Sequence, residues 1–125
     1  MKFKENQSIY LQIAQHICEN IMTGLWPEGD KITSVRELAA TIEVNPNTVM
    51  RSYKQLQTAG IIQNKRGIGY FVSAGASEKI HVMQKKEFIE KELPALVRKM
   101  RLLDIAPKEL MAIIEKNYSN PTKKL

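Results

Sequence analysis

The sequence predicts a mainly α-helical chain that contains one small β-hairpin. Two capped helices follow each other with almost no connection, and a glycine-containing hairpin signal comes directly after them. A third observation is a helical apolar pattern that starts near residue 78 and predicts a separate helical tail.

The first helix is predicted to begin near Ser8 and to end near Gly24. Its apolar residues recur at every fourth position, which places them in one stripe that can be buried. This stripe consists of Ile9, Ile13, Ile17 and Ile21, with Tyr10 and Ala14 alongside. The segment "WPEGDK" that follows is typical of a turn.

Two capping signals predict the second and third helices. "SVRE" is a capping box, in which the hydroxyl of Ser34 accepts from the amide of Glu37 and the glutamate carboxylate reaches back. Asn45 is a favoured N-cap, and Pro46 then occupies the first helical position, where a missing N–H costs nothing. Only "EV" separates the two helices, and so short a turn predicts the steep crossing of a helix-turn-helix.

The hairpin is predicted from two strand-like runs, "IIQN" and "YFVS", which flank "KRGIG". Gly67 and Gly69 supply the turn, and Phe71 is the residue of the returning strand that we expect to face the core. A helix-turn-helix followed by a hairpin is a winged helix. A phosphate-binding loop of an enzyme is the alternative, but it needs a strand that leads into a helix, and no helix is expected to follow until after residue 77.

The tail is predicted to be a domain of its own. The small, polar stretch "SAGASE" indicates a linker, so we expect one domain over 1–73, a linker over 74–77 and a helical tail over 78–125. Pro94 should kink or divide the first tail helix, and Pro107 should open the last one. The apolar residues of the tail need a partner, which is either the first domain or a second copy: Phe88, Ile89, Leu93, Leu96, Val97, Met100, Leu110, Ile113 and Ile114.

Composition narrows the class of function. The formal net charge of +6 over 125 residues favours an anionic partner. Cys18 is the single cysteine, and His16 and His81 have no ligand-spaced neighbour, so we expect neither a metal nor a cofactor. The sequence shows neither the apolar core of a signal peptide nor a run long enough for a membrane helix, so a cytoplasmic, nucleoid-associated protein is expected.

The third helix is predicted to present one free, basic face. Its buried side carries Val49, Tyr53 and Leu56, and the opposite side carries Asn47, Met50, Arg51, Lys54 and Thr58. The whole stretch 44–72 contains four cations and no acidic residue. An asparagine can bond an adenine edge, an arginine a guanine edge and a lysine a phosphate, and the amides at the start of the helix can receive a phosphate.

The motifs "GLWPEGDKI", "SVRELA", "VNPNTVMRSY" and "RGIGYFV" resemble, in this order, the winged-helix DNA-binding domain of GntR-family transcription regulators. "NPNTV.R.Y" with a short tail is similar to the YtrA-like subfamily. The resemblance implies a homodimeric repressor that binds an inverted-repeat operator, often of its own transporter operon, through a two-helix dimerisation tail. It assigns DNA contacts to Arg36, Asn45, Asn47, Thr48, Arg51, Arg66, Gly67 and Gly69, to which charge adds Lys54 and Lys65.

Three positions depart from the pattern of the family. Thr33 stands where a proline is usual, Tyr70 where the wing usually has threonine, and Met50 where other branches have a polar residue. The sequence identifies no small-molecule effector, and the basic group at Arg98, Lys99 and Arg101 fits either a solvated helix face or an anion contact. A winged helix that serves protein assembly without sequence-specific DNA binding is the remaining alternative.

Overall fold

The computed structural model describes residues 1–119, so the last part of the predicted tail, 120–125, lies outside the described residues. The chain divides into two compact units, Met1–Gln84 and the residues from Lys85 onward. The described part of the chain is mainly helical and contains one two-stranded antiparallel sheet. The predicted winged-helix fold class is confirmed.

Helix α1 spans Ile9–Met22 and ends, as predicted, just before Gly24, whose φ is 81°. Ser8 holds the N-cap position without a side-chain hydrogen bond. Ile9 was expected in the buried stripe but is 43% exposed, because it is the first residue of the helix and lies beyond the packed part of the stripe. The buried face of α1 is wider than the predicted stripe, because Cys18 also belongs to the core.

Helices α2 and α3 span Val35–Ile42 and Pro46–Thr58. The hydroxyl of Ser34 accepts from the amide of Glu37 at 3.2 Å and donates to the carboxylate of the same residue at 3.0 Å. The capping box thus forms, but the carboxylate bonds the hydroxyl of the cap. Between the helices, Glu43 adopts a left-handed conformation with φ of 55°, which turns the chain within a very short connection.

Strands β1, Ile62–Lys65, and β2, Gly69–Val72, form the hairpin, with Lys65 opposite Gly69. A short third segment pairs with the other edge of β2 through a bridge between Lys31 and Phe71. The amide of Ile32 donates to the carbonyl of Tyr70 at 2.9 Å, so the turn before α2 anchors the wing. This pairing is too short to leave a strand pattern in the sequence.

Side chains of β2 alternate between the two faces of the sheet. Val72 is 2% exposed and Tyr70 packs against the core. Phe71 lies between them and points to the other face, where its ring lies 4.3 Å from the Nζ of Lys65. The expectation that Phe71 faces the core is therefore wrong.

The core of the first unit joins all of its elements. The predicted buried side of α3 is confirmed, and α2 buries Ala39 and half-buries Val35, Leu38 and Ile42. The core residues are all less than 10% exposed and lie on α1, α2, α3, the two strands, the helix that follows them and two connecting segments: Ile13, Ala14, Ile17, Cys18, Ile21, Ile32, Ala39, Val49, Tyr53, Leu56, Ile61, Ile62, Val72, Ala76 and Ile80.

Helix α4 spans Ala76–Glu87 and begins earlier than the predicted start of the tail. Ala76 and Ile80 are 0% and 1% exposed in the core of the first unit, which therefore extends through Gln84. The linker expected over 74–77 is reduced to Ala74 and Gly75, because apolar contacts recruit the following residues into a helix. The small residues of this segment therefore did not predict its structure correctly.

The second unit contains a π-helical turn, Phe88–Glu92, then α5, Leu93–Leu102, and α6, Pro107–Tyr118. Pro94 has no amide to donate and its ring crowds the preceding turn, so an interruption is expected here. The chain accommodates it by widening the turn just before the proline, where the amide of Leu93 donates to the carbonyl of Phe88. Pro107 opens α6 as predicted.

Candidate nucleic-acid interface

Helix α3 begins with amides that are already bonded. The Oδ1 of Asn45 accepts from the amide of Asn47 at 2.8 Å, and the carbonyl of Asn45 accepts from Thr48 and Val49. Pro46 has no amide. The amides that we expected to receive a phosphate at the start of the helix therefore already have acceptors in this structure. Asn45 acts there as a helix cap.

The predicted free face of α3 is largely accessible. Asn47, Arg51 and Lys54 are exposed on it, whereas Thr48 is half-buried. Met50 is also half-buried and lies against the wing instead of projecting freely. Among residues 1–119 the one ion pair joins Lys91 and Glu87, so no carboxylate of the described chain pairs with a cation of this face.

Arg51 rests on an aromatic ring of α1. Its Cζ lies 3.8 Å from the centroid of the Tyr10 ring. The neighbouring residue, Ser52, is 0% exposed and donates from its Oγ to the carbonyl oxygen of Tyr10 at 2.6 Å. Sequence periodicity placed Tyr10 beside the apolar stripe and gave no sign of this contact.

Tyr70 and Met50, two of the positions that depart from the family pattern, contact each other. The hydroxyl of Tyr70 donates to the Sδ of Met50 at 3.7 Å. The ring of Tyr70 also lies edge-on to Tyr53, with centroids 5.0 Å apart. Tyr53 is held in turn, since its hydroxyl donates to the carbonyl of Thr33 at 2.6 Å. These contacts join the wing to α3.

The tip of the wing is exposed and basic. Gly67 and Gly69 have φ of 79° and 139°, which other residues rarely adopt, so both glycines are required by the turn. Arg66 is exposed between β1 and this turn. Sequence reasoning missed two residues of this region. Ile68 is 60% exposed at the tip. The side chain of Lys31 packs closely against Gly69, since its Cε would lie 2.9 Å from a Cβ added there.

Arg36 is exposed on the first turn of α2. Glu37 and Glu43 are nearby carboxylates with which its side chain could pair instead of contacting DNA. Within the part of the chain that the structure describes, it forms an ion pair with neither. Its charge is therefore available at the surface beside the start of α2.

Two buried groups of the first unit have raised pKa values. Burial, with a smaller contribution from Glu19, raises the pKa of the Cys18 thiol to about 11. Burial also raises the pKa of the Tyr53 hydroxyl, and the neighbouring Tyr70 and Glu37 act in the same direction. Both groups belong to the core that supports α3, and both stay protonated near neutral pH.

The predicted dimerisation residues are exposed with two exceptions. Met100 is 8% exposed within the chain itself and Leu110 is half-buried, so neither offers its full side chain to a partner. The others expose between 39% and 50% of their area: Phe88, Ile89, Leu93, Leu96, Val97, Ile113 and Ile114. Leu102, Leu103, Met111 and Tyr118 add exposed apolar area that the sequence prediction did not include.

Residues 1–119 bring no three potential metal ligands together. The same residues contain no helix that is both long and apolar enough to cross a membrane.

Known proteins resemble the chain in both sequence and structure. Residues 9–72 match the family described as "Bacterial regulatory proteins, gntR family". The HTH-type transcriptional repressor YtrA of Bacillus subtilis is 40% identical over 94 residues, which cover 75% of this chain and 72% of YtrA. The HTH-type transcriptional regulator YhcF of the same organism is 33% identical over 112 residues, which cover 88% of this chain and 89% of YhcF.

A crystal structure extends this similarity to the fold. A GntR-family transcriptional regulator from Bacteroides thetaiotaomicron has 44% sequence identity and a TM-score of 0.79. The match covers 90% of this chain and 99% of the other.

The fold and the site together define a transcription regulator with a winged-helix DNA-binding domain. The chain belongs to the GntR family, and the resemblance to YtrA that its motifs indicate is confirmed. Its relatives are named as transcription regulators, so the phosphate-loop enzyme is excluded and the glycines of the wing belong to a DNA-binding domain.

Proposed function

We propose that the chain is a homodimeric repressor that binds an inverted-repeat operator. The observation that carries the proposal is the free face of α3, where Asn47, Arg51 and Lys54 are exposed without a carboxylate partner among residues 1–119. A solvated helix face usually mixes charges of both signs. A face of amides and cations is instead suited to the base edges and phosphates of DNA.

In this proposal the residues of α3 divide their roles. Asn47 and Arg51 contact base edges in the major groove, because asparagine and arginine can make bidentate hydrogen bonds to adenine and guanine. Lys54, Thr48 and Arg36 hold phosphates, which fix the position of the domain without reading sequence. Asn45 contributes mainly as the cap that orients the first turn of α3.

The wing makes the flanking contact in the same proposal. Arg66 and Lys65 bring positive charge to the adjacent groove, and Gly67 and Gly69 let the main chain approach the DNA backbone. The contact of Tyr70 with Met50 supports this arrangement, because it fixes the wing against α3 and so sets the distance between the two contacts.

The tail supplies the two-fold symmetry. The π-helical turn, α5 and α6 carry seven predicted dimerisation residues that are 39–50% exposed. Large exposed apolar patches mark interaction sites. A second copy of the tail would cover these residues and would place two α3 helices in successive major grooves, about 34 Å apart. We therefore propose the dimerisation domain over the tail, with the DNA-binding domain before it.

Repression follows in this proposal from similarity. YtrA of Bacillus subtilis is named a repressor, and this chain shares 40% of its residues with it over 94 positions. We propose that the chain represses its own operon, of the transporter type that the subfamily resemblance implies, in the cytoplasm at the nucleoid. Occupation of a promoter by the dimer is sufficient for this effect.

A pair of substitutions tests the assignment of α3. Arg51→Ala should reduce discrimination at one base pair by roughly 1–3 kcal/mol, measured as the ratio of affinities for operator and random DNA. The matched change Lys54→Ala should lower the affinities for operator and random DNA by the same factor and should reduce the salt dependence of binding. If Arg51→Ala lowers the affinities for operator and random DNA by the same factor, the base-reading role is contradicted.

A further inference from the structure

We infer that Tyr10 of α1 is a positioning residue for Arg51, an inference that rests on the proposed base-reading role of Arg51. The guanidinium carbon lies 3.8 Å from the centroid of the Tyr10 ring. Arg51 is exposed and projects from a helix, so without this ring its long side chain would sample many rotamers. A side chain that is already held loses less entropy when it binds.

The ring has a fixed place relative to α3. Ser52 follows Arg51 in the chain, is 0% exposed, and donates its hydroxyl to the carbonyl of Tyr10 at 2.6 Å. The first turn of α1 is therefore tied to α3 by a main-chain acceptor. Because this bond does not involve the ring, a substitution of the Tyr10 side chain removes the stack and leaves the tie between the helices.

Stacking preserves the groups of Arg51 that read a base. An aromatic ring covers one face of the planar guanidinium, whereas the N–H donors lie in its plane and point outward from the edges. Those edges make the bidentate contact with the O6 and N7 of guanine. A carboxylate would hold the side chain equally well but would occupy the same donors, and none pairs with Arg51 among residues 1–119.

The wing contains a second stack that serves as a matched control. The Nζ of Lys65 lies 4.3 Å from the ring centroid of Phe71. An ammonium is a point charge with no edge to orient, so its contact with DNA is a phosphate contact. The Phe71→Leu change should therefore alter the affinities for operator and random DNA by the same factor, unlike the loss of the Tyr10 ring.

The test compares Tyr10→Leu with Tyr10→Phe on the operator fragment defined by footprinting and on a random duplex of equal length. Tyr10→Leu should lower the ratio of the two affinities by about fivefold, the scale of a cation–π contact at an exposed site. Tyr10→Phe keeps the ring and should retain the ratio. In an Arg51→Ala background, Tyr10→Leu should cause no further loss, because the two changes remove one interaction.

The outcomes separate the two hypotheses. If Arg51→Ala leaves the ratio unchanged, the base-reading role fails and the inference about Tyr10 fails with it. If Arg51→Ala lowers the ratio but Tyr10→Leu does not, or if Tyr10→Leu lowers it equally in the Arg51→Ala background, only the inference fails. Should Tyr10→Leu not fold, NMR of the wild-type protein decides, because the Tyr10 ring must show cross-relaxation with the δ-methylene of Arg51, and its absence overturns the inference.

Discussion

The two units of the chain have similar helical apolar patterns but differ in how far the apolar side chains are buried. In Met1–Gln84 the apolar stripes of α1 and α3 are buried, and Ile17, Val49 and Tyr53 are 0% exposed. From Lys85 to residue 119, Met100 alone among the apolar residues is buried. Helical periodicity thus identifies the apolar side of a helix, but not whether the same chain buries that side.

The largest effect expected from this contrast is on folding. Ile17→Ala removes a fully buried side chain and should lower the free energy of unfolding by about 2–5 kcal/mol. Its matched control is Leu102→Ala in the second unit, where the side chain is 83% exposed and the loss, measured at concentrations at which the chain is monomeric, should stay below about 0.5 kcal/mol. Urea unfolding followed by far-UV circular dichroism measures both, because this signal reports the helices of both units. Equal losses would contradict the contrast.

The elements of the first unit could be predicted because their signals are local. The cap at Asn45, the proline at the first position of α3 and the glycines of the wing each dictate a conformation within a few residues. The contacts that build the site are not local in this sense. Tyr10 meets Arg51 across two helices, so neither periodicity nor composition could pair them.

Two errors of sequence reasoning have a common cause. Phe71 was expected to face the core, yet the alternation of β2 buries Val72 and half-buries Tyr70 on that side. The linker was expected because residues 74–77 are small, yet Ala76 is small enough to pack against the core at 0% exposure. In both cases tertiary packing overrides the character of the residue.

The next effect concerns assembly. Leu96→Asp places a charge within the exposed apolar surface of the tail and should weaken dimerisation on the order of 30-fold or more. Leu25→Asp introduces the same charge at a side chain that is 69% exposed in the first unit and should leave the dimer intact. Sedimentation velocity over a concentration series distinguishes them. A wild-type chain that stays monomeric at high concentration would refute the dimer.

A smaller effect should come from the hydroxyl of Tyr53. Tyr53→Phe removes its 2.6 Å hydrogen bond to the carbonyl of Thr33 and should cost about 1–3 kcal/mol of folding stability. Tyr70→Phe is the matched change, and it loses only a weak bond to the sulfur of Met50 at 3.7 Å. In thermal unfolding, the melting temperature of Tyr53→Phe should be clearly lower than that of Tyr70→Phe. The reverse order would show that the Tyr53 hydrogen bond contributes little to stability.

The smallest effect is a loss of stability in alkali. Burial raises the pKa of Cys18 from 9.0 to about 11, so in this range the unfolded chain releases the proton more readily than the folded one. The stabilising contribution is complete below pH 9 and is lost as the pH rises toward 11. The loss of unfolding free energy should be about 1 kcal/mol at pH 10. Cys18→Ala should flatten this part of the profile of unfolding free energy against pH, and an unchanged slope would exclude the thiol as its source.

Footprinting on the DNA upstream of the protein's own operon tests the central claim most directly. A dimer that uses two α3 helices should protect two half-sites of an inverted repeat, with centres about 34 Å or a multiple of that apart. Leu96→Asp should lose this footprint at concentrations where Leu25→Asp keeps it. Protection of a single asymmetric site would contradict the two-fold arrangement, and a complete lack of binding at low salt would favour a winged helix that contacts protein instead of DNA.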